Sequence, residues 1–415
     1  MYLGGVSTPP KFGSELPSLK ERVSGAWMKR IVFLARNSHQ PYHYFTERLV
    51  EACLRSGVQS ELIDFDTDDL RMELDRMRDT PPDFFCAFSG TRPFPSGDLF
   101  SNYLQIPYVS LLVDPAIHFN YYRGSSLVIL GCIDRGDMPF LRRCGLTKSF
   151  FIPLGVEEKT VPPETDRCYE VALVGNFAHH EKLEKICRTK FAPQIGALLD
   201  DLVEAMLSGH TGHFPSLLMD QLVARAIPLG EVCFDHLCLA AQHRFRAHDR
   251  LRLVRAIQGL DVHIFGQLPE PGYGERWSDE LRQTTHIHLH GPVDYPDALQ
   301  IMSQTRVLLN SSPFFTDGLH DRVTAGLMRG SLVLSTESRY QAETLRDGES
   351  ILTYRPGDYA SANAKIHAYL ADESKRRELV RRGQEIVQQH HTWDVRVQTL
   401  LQALPPLLQN LNSAD

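Results

Sequence analysis

No stretch of the 415-residue chain is apolar over a length that could cross a bilayer. The longest apolar runs, such as Val109–Val113, are strand-sized, against the ~20 residues that a membrane helix needs. No integral membrane contact is therefore expected. Positive charge is also scarce. Lys and Arg number 44 against 51 Asp and Glu, a net charge of −7, which argues against a nucleic-acid partner. The eight cysteines include no CxxC pair, and several lie inside apolar runs such as Phe84–Phe88. That excludes a disulfide framework and fits a reducing compartment. Cys233 and Cys238 flank His236, but the spacing fits no standard zinc motif and helix packing is the plainer reading. Met1–Gly13 is rich in Gly, Ser and Pro without an apolar core, so no secretory signal is expected and the location is read as cytoplasmic. A Walker A loop, a nucleophile elbow and a GxGxxG turn are all missing.

What is present is the pattern of an α/β protein. Hydrophobic residues make up 42% and charged residues 23%, the mix of a globular chain, and the length suits two packed cores. Short apolar strands alternate with helical periodicity at 29–35, 59–65, 83–89, 108–113, 126–131 and 149–153, which predicts a doubly wound parallel sheet. A Pro- and Glu-rich linker follows at 153–163, and the pattern restarts with a strand at 169–175. Residues 181–257 carry long helical periodicities with almost no strand signal. Strands then resume at 261–266, 286–291, 306–310, 331–335 and 351–354, before a helical tail. The organisation expected is a flexible segment at 1–25, a Rossmann-like domain at 26–158, a second at 164–400 with a helical insertion at 181–257, and a helix end at 401–415. Two such sheets leave a crevice at the carboxyl ends of their strands, where ligands of this architecture bind.

Several residues in that crevice invite chemistry. The segment Arg306–Thr336 runs strand, loop, helix, strand, with Asp317-Gly318 closing the loop and the helix opening at His320–Asp321. A loop feeding a helix N-terminus is an anion site, because free N–H groups and the helix dipole face the ligand. Arg322 in the first turn adds a bidentate phosphate contact, although an ordinary strand–helix unit with a surface Arg fits as well. Asp114 closes an apolar strand, an unusual place for charge, and His39 follows the first strand; both are candidate bases. His286, His288 and His290 alternate along one strand, but packing accounts for them more simply than a metal does. The Asp64, Asp66 and Asp68 spacings precede a helix, where capping is the plainer role.

The order Asn310, Pro313, Gly318-Leu-His320-Asp321-Arg322 and Met328-Arg-Gly330 resembles the C-terminal signature of the group 1 glycosyltransferases, nearest the spore-maturation-protein-B-like (CgeB-like) branch. Tyr169–Asn176, Val262–Gly266, His290–Val293 and His391–Arg396 are similar to further family elements in order, and Ile106–Pro115 resembles one in the first half. The resemblance spans about residues 105–175 and 260–400 and is absent over the helical insertion. It implies a GT-B fold: two Rossmann-like domains facing across a cleft, with the C-terminal helix crossing back onto the first. It also implies transfer of a hexose or deoxyhexose from a nucleotide-diphosphate donor to a hydroxyl of a protein or glycan acceptor, with no cofactor and no metal. Donor contacts are then expected from Gly175, Asn176, Gly266, Pro292, Val293, Asn310, Asp317, Gly318, His320 and Arg322. Asp114 and His39 are the expected catalytic pair, on strands one and four taken as neighbours. One departure stands out. Many resembled enzymes carry two glutamates here, the later at the position of Ala325, so the usual ribose carboxylate is missing. A scaffold that kept the fold without the chemistry, or a nucleotide-sugar epimerase on the same fold, are the competing readings. Sugar, acceptor and oligomeric state are not legible.

Overall fold

The computed structural model describes residues 30–36, 40–89, 100–117, 122–123, 125–158, 167–177, 185, 188–228, 232–268, 276–409 and 411. The expected flexible segment 1–25, His39 and the second half of the linker lie outside them.

The first domain runs β1 (Arg30–Ala35), α1 (Gln40–Arg55), β2 (Gln59–Asp64), α2 (Leu70–Asp79), β3 (Phe84–Phe88), α3 (Phe100–Leu104), β4 (Tyr108–Leu111), β5 (Val128–Cys132), α4 (Asp137–Arg143) and β6 (Ser149–Phe151). α1 opens with Pro41 in its first turn, where proline is tolerated. All six strands are parallel, in the order β2-β1-β3-β4-β5-β6. The switch point therefore lies between β1 and β3. The expectation that strands one and four are neighbours is corrected: β3 separates them, because the chain crosses over after β2 and resumes on the other side of β1.

The second domain begins with β7 (Tyr169–Val174) and then leaves the sheet for α5 (Pro193–Leu207), α6 (Phe214–Ala224) and the 23-residue α7 (Phe234–Ala256). It returns through β8 (Val262–Phe265), α8 (Arg276–Gln283), β9 (Ile287–His290), α9 (Tyr295–Ser303), β10 (Thr305–Asn310), α10 (Asp321–Met328), β11 (Leu332–Thr336), α11 (Arg339–Thr344) and β12 (Leu352–Tyr354). The chain ends on α12 (Tyr359–Leu370), α13 (Glu373–His390) and α14 (Trp393–Gln409). This sheet is also parallel, in the order β12-β11-β10-β7-β8-β9, with its switch point between β7 and β10.

Two devices join the domains. The helical insertion packs on the first sheet: Ile195, Leu198, Phe214, Phe234 and Phe245 share a core with Val32, Leu34, Phe85 and Leu130. α7 is one continuous helix, and its later residues Leu251, Leu253 and Val254 enter the second-domain core. α14 crosses back onto the first domain, where Trp393, Val397, Leu400 and Leu404 pack against Phe45, Leu49 and Cys53 of α1. Each such side chain contributes about 1.5–3 kcal/mol on burial. The crossing point is fixed by backbone bonds between Val156 and His391–Trp393, and a Cβ on Gly155 would lie 2.5 Å from the Trp393 indole.

At that crossing His391 is fully buried and accepts a 2.7 Å bond at Nδ1 from Arg396 Nη2. Burial, with the Arg396 charge beside it, holds the imidazole down to about 3. A base whose folded pKa is depressed gives stability that is intact above its unfolded value and is lost as pH falls towards the folded one. Stability should thus fall between about pH 6.5 and 4, by on the order of 3 kcal/mol from this residue. Denaturant midpoints measured across that range should lose the larger part of their slope in His391→Gln; an unchanged slope would place the titrating group elsewhere.

Candidate active site

The carboxyl ends of β7 and β10, at the second-domain switch point, carry three arginines. Arg322 enters from the first turn of α10 and donates from Nη1 to Val174 O at 2.8 Å and from Nη2 to His320 Nε2 at 2.7 Å. His320 Nδ1 lies 2.5 Å from Asp321 Oδ1 and also accepts from Arg322 N at 3.3 Å, which caps the helix. Tyr295 OH donates to the other Asp321 oxygen at 3.1 Å. Burial alone would raise the Asp321 carboxyl, but His320, Arg322 and Tyr295 bring it down to about 2. The row Tyr295–Asp321–His320 thus fixes the direction of the Arg322 fork.

Arg250 and Arg246 arrive from α7, one turn apart. Arg250 is 2% exposed; it donates to Asn176 O and, at 3.5 Å, to Ser311 O. Arg246 donates to His243 Nδ1 at 3.4 Å. The Nε of each is buried without a partner. Among the described residues none of the three guanidiniums has a carboxylate within ion-pair distance. Burial first, and then the charges of Arg322 and Arg246, push Arg250 well below the usual arginine range. Arginine does not surrender its proton under ordinary conditions, so the cluster is a concentration of positive charge with Arg250 buried at its centre. An anion relieves it.

Asp249 holds these arginines in place. Its fully buried carboxylate accepts from Ser311 Oγ (2.6 Å), Tyr354 OH (2.7 Å) and Tyr359 OH (2.9 Å), which ties α7 to β10, β12 and α12.

Glycine makes the approach possible. A Cβ on Gly175 would stand 2.9 Å from Arg322 Nη1 and 3.1 Å from Arg250 Nη1, and one on Gly266 would stand 2.3 Å from Gly175 O. Asn176 clasps the two strand ends, accepting from Gln267 N at 2.8 Å. Pro292 and Val293 are exposed in the loop after β9, Val293 by 37%. Asn310 is buried and ties β10 to β11 through Ser335 (2.9 Å) and Ser312 (3.1 Å).

The Asp317-Gly318 loop has a different place from the one expected of it. Asp317 N donates to Asp134 Oδ2 at 2.8 Å, Arg135 N donates to Asp317 O at 3.0 Å, and Gly318 N donates to Ser338 Oγ at 3.1 Å. A Cβ on Gly318 would lie 2.3 Å from Ile133 O. The Asp317 and Arg135 N–H groups close the seam between the domains, and that of Gly318 is spent within the second.

Across the cleft, Tyr42 of α1 hydrogen-bonds Ser89 at the end of β3, and Ser89 adopts a left-handed φ of 55°. Asp114 is exposed just beyond β4. Its charge acts on Tyr42 within its own domain and on Arg246 and Arg322 of the opposite wall. His39 lies outside the described residues.

The other sequence candidates resolve into structure. Asp64 and Asp68 close a turn, with Asp64 N donating to Asp68 Oδ2 at 2.7 Å, and Asp69 caps α2. His263 stacks between His288 (4.6 Å) and His290 (5.2 Å), and its Nδ1 meets His290 Nε2 at 3.0 Å. Among the described residues no group of three or more His, Cys, Asp or Glu is arranged to hold a metal ion. No described helix is long and apolar enough to cross a membrane. Ala325 is 1% exposed and belongs to the second-domain core.

Sequence reasoning missed Arg246, Arg250 and Asp249. The signal was there: two arginines at i and i+4 repel on an isolated helix, and Arg250 has Ala247, Leu253, Arg246 and Val254 three and four positions away, with no acid among them.

Comparison with known proteins agrees with this architecture. Residues 246–402 match the model of a family described as glycosyl transferase-like. No curated protein matches. Among solved structures the chain is similar to a sucrose-phosphate synthase from Thermosynechococcus elongatus (12% identity, 93% of this chain and 100% of that one, TM-score 0.53). It is also similar to a glycosyltransferase from Rickettsia africae (9%, 92% and 99%, 0.52). A third is HepE from Anabaena, solved with UDP and glucose (12%, 91% and 100%, 0.50). The fold is GT-B. At these identities the likeness concerns the fold alone.

Proposed function

We propose that the protein is a glycosyltransferase that takes a sugar from a nucleoside-diphosphate donor held in the second domain and passes it to a hydroxyl-bearing acceptor on the first. The observation that carries this reading is the set of three guanidiniums at the second-domain switch point, Arg250 buried and Arg246 and Arg322 half-buried, that have no carboxylate within ion-pair distance among the described residues. The family match over 246–402, which begins at the first of these arginines, and the UDP and glucose seen in HepE both support it.

A departing diphosphate gathers negative charge as the glycosidic bond breaks. Fixed cations in a site emptied of water stabilise that charge most, because they need no reorganisation. Arg322, aimed by His320, and Arg250, held through Asp249, are placed for it. Gly175 and Gly266 let the phosphates come close to backbone, and the Pro292-Val293 loop offers peptide groups to the base. Asp114, on the opposite wall, takes the acceptor proton if the reaction inverts the anomeric centre and orients the acceptor if it does not.

The reading makes the arginines, rather than a divalent cation, the diphosphate clamp. Incubation with donor alone should release sugar slowly by hydrolysis, at a rate unchanged by EDTA. Turnover that collapses with chelator and returns with Mn²⁺ or Mg²⁺ would remove the clamp from these residues. Donor binding with no hydrolysis and no transfer would favour the binding-protein alternative.

A further inference from the structure

Three arginines are more than a diphosphate needs, and the third is placed differently from the other two. Arg250 and Arg322 reach backbone carbonyls at the end of β7 and in the adjoining loops. Arg246 lies one turn towards the N-terminus of α7, so its side chain emerges about 5–6 Å from that of Arg250. The step matters because α7 changes cores there. Phe245 and Ala247 lie on the portion packed towards the first domain, Phe245 in the core shared with the first sheet, whereas Leu251 and Val254 belong to the second-domain core. Arg246 therefore stands on the side of the diphosphate pair that faces the acceptor domain. Its electrostatic neighbours describe the same position. It repels Arg250 and Arg322, and Asp114 of the first domain attracts it, as it does Arg322.

In the proposed reaction the transferred sugar occupies that place, between its leaving diphosphate and the acceptor. The Arg246 side chain is half-buried, with its Nε fully enclosed. Its Nε is buried without a partner, and its one side-chain bond runs to His243, a ring that burial and the charges of Arg246 and Arg250 keep neutral, near about 4. Asp114 acts on it at a distance but is not within ion-pair range. A diphosphate held by Arg250 and Arg322 leaves Arg246 to meet the sugar. A neutral hexose offers that enclosed Nε at most a single hydroxyl; a carboxylate on the sugar would pair with the guanidinium edge through two parallel, charge-assisted bonds.

We propose that Arg246 reads a carboxylate on the transferred sugar, and that the preferred donor is a nucleoside-diphosphate uronic acid. This rests on the donor-site reading above, and the test separates the two. Calorimetry on the full chain would first establish that a nucleoside diphosphate binds. It would then compare the neutral and acidic sugars on that base, UDP-glucose against UDP-glucuronate, or GDP-mannose against GDP-mannuronate if guanine is the base selected. The wild-type chain should bind the acidic donor at least tenfold more tightly. In Arg246→Gln the two donors should come within threefold of each other, with the free diphosphate affected less than the acidic donor. Arg246→Met, which keeps the stem and removes the charge, should behave alike and guards against a local fault in one variant. Equal binding of the two donors by the wild-type chain overturns the inference while leaving the donor site standing. A preference that survives both substitutions overturns the assignment to Arg246. If no nucleoside diphosphate binds at all, the donor-site reading falls and this inference with it.

Discussion

Replacing Arg322 with alanine should weaken nucleoside-diphosphate binding by about 1.5–3 kcal/mol, the range for a hydrogen bond to a charged group. The fork is preoriented. Nη2 is fixed on His320 and Nη1 on Val174 O, so little side-chain entropy remains to be lost when phosphate arrives. Lysine should restore only part of the affinity, because a single ammonium cannot keep the His320 and Val174 contacts and also present two parallel donors. Calorimetry on variants with wild-type unfolding midpoints measures this directly. An affinity within error of wild type in Arg322→Ala would take the diphosphate away from α10.

Asp249→Ala should destabilise the fold by about 3–5 kcal/mol, since buried hydroxyls left without an acceptor cost about 1–3 kcal/mol each. Three hydroxyls, those of Ser311, Tyr354 and Tyr359, would lose their acceptor together. Arg250 would also lose the attraction of the Asp249 charge in a neighbourhood of like charge. Burial pushes the Asp249 carboxyl up, and the three hydroxyls with Arg250 pull it back. Asp249→Asn should recover part of the loss, since its amide oxygen still accepts two of the three. Denaturant unfolding of the three proteins gives the comparison; a loss below about 1 kcal/mol in Asp249→Ala would show that α7 is held by its apolar face alone.

The strands were legible because apolar runs of strand length between turn residues have few other uses in a chain of this composition. Val109–Val113 and Arg306–Asn310 are examples, and both fall where β4 and β10 form. The family signature then led to Arg322 and to the glycines at 175 and 266. Neighbour relations were harder. Which strands pair depends on the direction of each crossover, and nothing local in β1 or β4 records that β3 lies between them. The loop at Asp317-Gly318 has the sequence of an anion turn, yet its N–H groups are taken by Asp134 and Ser338, residues distant in sequence and, for Asp134, in the other domain. Arg246 and Arg250 were hidden for a related reason. On a helix read as an insertion they pass for solvated surface, and only the packing of α7 across both cores buries them against the switch point.

The central claim, that the arginine cluster is a diphosphate site, is tested most directly by titrating the folded chain with UDP, GDP, ADP and dTDP in the presence of EDTA. The account predicts that at least one of them binds with one site per chain, and that Arg250→Ala loses at least tenfold in affinity for it. If none of the four binds to the folded protein, or if binding is untouched by Arg250→Ala, the cluster is not a diphosphate site.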